Sequence, residues 1–182
     1  MNTEAAPGQA AKTEYRRRAG RGIEMTEAEI AGWVARFADL GADPDAFRDA
    51  NDPSRRLQIM WAISPDNGGG PAAISKPHPF HMSYIESEPG HHPVLHYHEY
   101  AEVFICLRGQ YTIHWGNDGE HKVVLDPYDV FSVPPKLMRS VENTGKERGL
   151  VMVLYGDVAD PNAGIRVPQS VIDADRAAGR DI

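Results

Sequence analysis

The chain has one cysteine, Cys106, in 182 residues. An intrachain disulfide framework is therefore excluded, and a reducing compartment is the expected setting. Long apolar runs are also missing: the longest, such as Leu150 to Tyr155, fall far short of the roughly 18 to 20 residues a membrane helix needs. There is no basic excess. Lysine and arginine number 19 against 26 aspartates and glutamates, for a net charge of -7, the wrong sign for a domain that grips nucleic-acid phosphates. The opening "MNTEAAPGQAAKTEYRRRAGRG" lacks the apolar stretch of a secretory signal, so a cytoplasmic protein is expected, with neither nucleic acid nor membrane as a partner. Arg16, Arg17, Arg18 and Arg21 on that Gly/Ala-rich arm read as a solvated tail.

With 41% apolar and 25% charged residues, the chain has the composition of one globular domain with a single core. Residues 26–40 open with a Thr-x-x-Glu capping box at Thr26 and Glu29. Ile30, Trp33, Val34 and Phe37 follow at helical spacing, and Gly41 is a stop, which predicts one amphipathic helix. Asp43 and Pro44 predict the start of a second, shorter one. From Leu57 the period changes. Short apolar or alternating runs ("LQIMWAIS", "FHMSYIES", "PVLHYH", "AEVFICLR", "QYTIHW", "HKVVL", "DVFSVP", "MRSVEN", "LVMVLYG") are divided by Gly-, Pro- and Asp-rich turns. Eight or nine such strands predict an all-β antiparallel sandwich or small barrel. Pro168 and Gly179 bracket a short C-terminal helix. The expected organisation is an arm over 1–22, a helical extension over 23–56, the β-domain over 57–157 and a tail over 158–182. "AEVFICLR" is apolar on both faces, so its outer face calls for a cover, either the amphipathic helix or a second copy, and a homodimer is the expectation.

The stretch "PGHHPVLHYHEYAEVFICLRGQ" concentrates the chemistry. Side chains two apart on a strand share a face, so His96 and His98 present two imidazoles together, and a bend past "EYA" brings the Glu102 carboxylate alongside. Two imidazoles and a carboxylate suit non-haem Fe(II), Mn(II), Ni(II) or Zn(II). The aromatic residues Phe80, Tyr84, Phe104, Tyr111, Trp115 and Tyr155 read as core more than as pocket lining.

Gly90, His96, His98, Glu102 and Gly109 fit the first signature of the cupins, Gly-x5-His-x-His-x3-Glu-x6-Gly, without a gap or a mismatch. The chain thus resembles a single-domain member of that superfamily over about residues 57–157. The resemblance implies a double-stranded β-helix, or jelly roll, with His96, His98 and Glu102 facing inward on a divalent transition metal. The second cupin signature is broken: Pro134 and Asn143 match, Lys136 replaces a glycine, and Arg139 stands where a third histidine ligand belongs.

An arginine has no lone pair to give a metal. Three arrangements are open. His96, His98 and Glu102 hold the metal alone while Arg139 grips an anionic substrate; or His81, His114 or Cys106 supplies a further ligand; or Arg139 pairs with Glu102 and the pocket is metal-free. The first is the leading expectation. It gives a metal-dependent enzyme acting on a small anionic organic substrate, aromatic ones included, with Fe(II) foremost and a dioxygenase reaction as the resemblance implies. With Zn, Mn or Ni the expectation becomes an isomerase or lyase. The rival class is a non-enzymatic small-ligand-binding cupin.

Overall fold

A computed structural model describes residues 20, 22–43, 57–156 and 158–179. The expected arm before residue 20 and the second helix, from Pro44 on, lie outside the described residues. Eight strands run through the domain: β1 (Gln58–Ile63), β2 (His81–Ser87), β3 (Glu102–Arg108), β4 (Tyr111–Trp115), β5 (His121–Leu125), β6 (Val130–Val133), β7 (Arg139–Asn143) and β8 (Gly149–Tyr155). They form a five-stranded antiparallel sheet of order β1-β2-β8-β3-β6 and a three-stranded sheet of order β5-β4-β7. This is the antiparallel all-β arrangement that the alternating runs predict, and the jelly roll that the resemblance implies.

Alternation builds the core. In β2, β3 and β8 every second residue is buried, so Ile85, Phe104, Cys106, Val151, Val153 and Tyr155 meet Tyr111, Ile113 and Val141 of the smaller sheet in one apolar cluster. The other parity of β3, Val103, Ile105 and Leu107, is half-buried on the outside of the larger sheet. Gly90 and Gly109 both take positive φ, +79° and +87°, which explains glycine at the two ends of the histidine stretch.

The stretch "PVLHYH" is not a full strand. It makes isolated bridges, His96 to Arg139 and Tyr97 to Arg166. The predicted helix over 26–40 is shorter than its pattern. The capping box forms, with the Glu29 amide donating to Thr26 Oγ1 at 3.2 Å, but α1 covers only Glu27–Ala31, and a 3₁₀ turn follows at Phe37–Asp39. Gly32, Trp33 and Val34 are weak helix formers. Unwound, the segment sends Trp33 to His78 (centroids 5.6 Å) and Phe37 edge-on to Tyr84 of the outer sheet face (5.1 Å). The C-terminal helix α2 (Gln169–Ala177) forms between Pro168 and Gly179 as expected. No helix among the described residues is long and apolar enough to cross a membrane.

Candidate functional site at one end of the barrel

Register gathers the polar side chains at one end. Along the larger sheet His81, Tyr155 and Glu102 stand in one row; in the smaller sheet Trp115 pairs with Arg139, which bridges to His96. Arg139 is 1% exposed and Glu102 4%. The guanidinium spans both partners: Nε donates to Glu102 Oε2 at 3.1 Å, Nη2 donates to the same oxygen, and Nη1 donates to the His96 carbonyl at 2.9 Å. Burial pushes the Glu102 carboxyl up, and the adjacent Arg139 opposes that rise.

The two imidazoles lie beside this pair, their centroids 5.1 Å apart and their planes nearly perpendicular. Burial first, then the Arg139 charge, then His98, holds His96 well below the usual imidazole range. His98 is lowered to about 3 by burial and then by Arg139. Both rings are therefore neutral at pH 7. His96 Nδ1 donates to the Val94 carbonyl at 2.6 Å, which leaves its other nitrogen as the lone-pair bearer. His98 Nδ1 is buried and has no hydrogen-bond partner among the described residues.

His98 stacks on Tyr100 (4.7 Å, 21°), whose hydroxyl donates to the Pro161 carbonyl. Residues 158–166 run across this end as a strap. His81 Nε2 donates to the Val158 carbonyl at 2.7 Å, Asn162 Nδ2 donates to the Gly69 carbonyl at 3.0 Å, and Tyr97 and Arg166 exchange backbone bonds at 2.9 and 3.1 Å. Beneath the strap Trp61 and Tyr155 lie 5.3 Å apart, and Tyr155 shares a hydroxyl contact with Ser83. Burial, followed by the nearby Glu102 charge, raises the phenols of Tyr100 and Tyr155, so both stay neutral.

The further ligand candidates are elsewhere or engaged. His81 accepts from the Ser64 hydroxyl on Nδ1 (3.1 Å) while Nε2 holds Val158, so both nitrogens serve the strap and its neighbouring loop. Cys106 is fully buried toward the opposite end, and burial raises its thiol. His114 faces outward from the smaller sheet, where it meets Glu142 at 3.0 Å and lines a surface cleft of about 280 Å³ with His92 and Asp118. Tyr100 and the strap were missed by sequence reasoning. The one signal was the parity of His96, His98 and Tyr100, which puts the tyrosine next in line.

An eight-stranded jelly roll with paired imidazoles at one end of its core defines a class, the all-β barrel with an internal polar site. Residues 83–155, most of the barrel, match the family model described as a cupin domain. Solved structures agree on the fold. The chain is similar to the polyketide cyclase RemF of Streptomyces resistomycificus (12% identity, 74% of this chain and 83% of that one, TM-score 0.56). It is similar to Rru_A2000 of Rhodospirillum rubrum, a cupin-2 domain (17%, 80% and 89%, TM-score 0.56). A cupin 2 domain-containing protein of Halorhodospira halophila gives 21%, 69% and 82%, with a TM-score of 0.51. At these identities the likeness is one of fold alone. No curated protein matches the chain.

Cupin domains generally bind divalent metals, and the donors here fit one poorly. The Glu102 carboxylate is tied to the buried Arg139 guanidinium, whose charge repels a second cation. Among the described residues, no group of three or more His, Cys, Asp or Glu is placed to hold a metal ion.

Proposed function

We propose that this cupin takes a small, uncharged organic molecule into the polar end of its barrel and holds it by a hydrogen bond to His98, with no three-ligand metal centre. The observation that supports this reading most is the buried His98 Nδ1 without a partner. An unsatisfied buried nitrogen costs about 1–3 kcal/mol, which a ligand hydroxyl or carbonyl would relieve. Because Arg139 and Glu102 neutralise one another, the site has no net charge to offer, and a neutral ligand avoids the desolvation cost an ion would carry. This shifts the expectation from an anionic substrate gripped by Arg139 to a phenol- or enol-like one. The rings of Tyr100, Tyr155 and Trp61 suit a planar ligand. A neutral imidazole can also exchange a proton with a ligand hydroxyl. The metal-dependent readings, a dioxygenase, an isomerase or a lyase, need Glu102 to leave Arg139, and one experiment addresses both.

Purified protein with nitrogen-15 in its histidines is titrated with phenol and with resorcinol, alongside elemental analysis for transition metals. The His98 ring signals should move with saturating phenol and stay fixed in His98→Ala. One equivalent of transition metal retained through His96 and His98, with no response to either phenol, would sink the reading.

A further inference from the structure

We propose that Arg139 is the resident cation of this barrel. Its guanidinium takes over the role of a divalent ion among His96, His98 and Glu102, and a single substitution returns the site to metal binding. This deepens the metal-independent reading and rests on it.

Position supports the proposal first. Arg139 stands directly opposite His96: the His96 amide donates to the Arg139 carbonyl at 3.0 Å and the Arg139 amide to the His96 carbonyl at 2.8 Å. From this point the Arg139 side chain reaches both Glu102 and the His96 backbone of the first signature. The contacts support it next. A carboxylate buried to 4% exposure needs a positive charge beside it, and Arg139, itself 1% exposed, supplies one through two N–H groups on a single oxygen. A third N–H fixes the fork on the His96 backbone. The guanidinium charge depends on neither metal supply nor pH across the physiological range.

The same contacts exclude a second cation. A metal on His96, His98 and Glu102 would strip Arg139 of its counter-ion inside the barrel and sit against a like charge. Breaking a buried ion pair costs enough to lower metal affinity by at least about 100-fold. Replacing Arg139 by histidine removes that charge, frees Glu102, and adds an imidazole on a backbone already bonded to His96.

The test is a cobalt(II) titration of the full chain, read by visible absorption and by the shift in melting temperature. Wild type should take up no stoichiometric cobalt. Arg139→His should bind one equivalent at least about 100-fold more tightly than wild type does, and adding His96→Ala should abolish it. A second variant covers the case in which Arg139→His does not fold. Arg139→Ala should melt lower than wild type, and either cobalt(II) or a low concentration of guanidinium ion should restore part of the loss, with no such effect on wild type. Cobalt bound stoichiometrically by wild type through His96 and His98 overturns this proposal and the metal-independent reading together. No uptake by folded Arg139→His, or no rescue of Arg139→Ala, overturns this proposal alone and leaves ligand binding at His98 standing.

Discussion

The two ends of the barrel bury polar groups on opposite terms. At the end formed by Ser87, Cys106, Tyr111 and Asn143, the buried side-chain polar atoms all have partners among the described residues. Asn143 Nδ2 donates to the Ser87 and Glu147 carbonyls at 2.7 and 2.9 Å, its Oδ1 accepts from the Gly145 amide at 2.9 Å, and the Tyr111 and Ser87 hydroxyls meet at 3.0 Å. These bonds tie the β7–β8 turn to the sheets. At the other end an ion pair is buried, two imidazoles are kept neutral, and one ring nitrogen has no partner among the described residues. One end satisfies its buried polar groups with neutral hydrogen bonds, and the other balances buried charge and keeps an unsatisfied nitrogen.

Breaking each end should therefore have a different cost. Glu102→Ala leaves the buried guanidinium of Arg139 unpaired and should lower unfolding stability by about 3–5 kcal/mol. Asn143→Ala leaves neutral backbone groups unsatisfied and should lower it by about 1–3 kcal/mol. Urea unfolding of the two variants checks the order. Equal losses would mean that the charge at the polar end carries no special weight.

The strands were legible because turn residues punctuate them and their alternation is regular. The gathering of His96, His98 and Glu102 at one end follows from period-two geometry and one bend. What the residues did not announce was the choice made by Arg139. Its position opposite His96 depends on how β7 pairs with the 94–98 segment, a contact across 43 residues, and spacing alone left three arrangements of the site open. The amphipathic pattern of Ile30, Trp33, Val34 and Phe37 was misleading for a related reason: a segment draped over a sheet can space its apolar residues as a helix does. Lys136 replaces a motif glycine, yet it takes that glycine's left-handed conformation, with φ at 66°. The Tyr100 latch had no sequence mark beyond its parity with His96 and His98, because its acceptor is a backbone carbonyl.

The contrast between the ends should sharpen with acid. An unfolded imidazole titrates near 6.5, whereas the folded His98 is lowered to about 3. The folded state therefore binds fewer protons over that window. Its stability is fully present above the unfolded value and falls as pH drops toward the folded one. Between pH 7 and pH 5 the His98 contribution is a loss of about 2 kcal/mol. Urea midpoints of wild type and His98→Phe across that range isolate it: the variant should show the shallower slope, and Asn143→Ala should keep the wild-type slope. Parallel profiles for wild type and His98→Phe would mean that His98 is not held neutral.

The smallest effect concerns the strap. Tyr100→Phe keeps the stacking surface against His98 and removes only the hydroxyl that reaches Pro161, a change worth about 1 kcal/mol. Because the strap has other ties, through Val158, Asn162 and Arg166, the variant should stay folded while local opening becomes easier. Amide exchange within residues 158–166 should then speed up by about fivefold, while amides around Asn143 keep their protection. Faster exchange at both ends would show a global loss of stability instead. Unchanged exchange in the strap would show that the Tyr100 hydroxyl does not hold it.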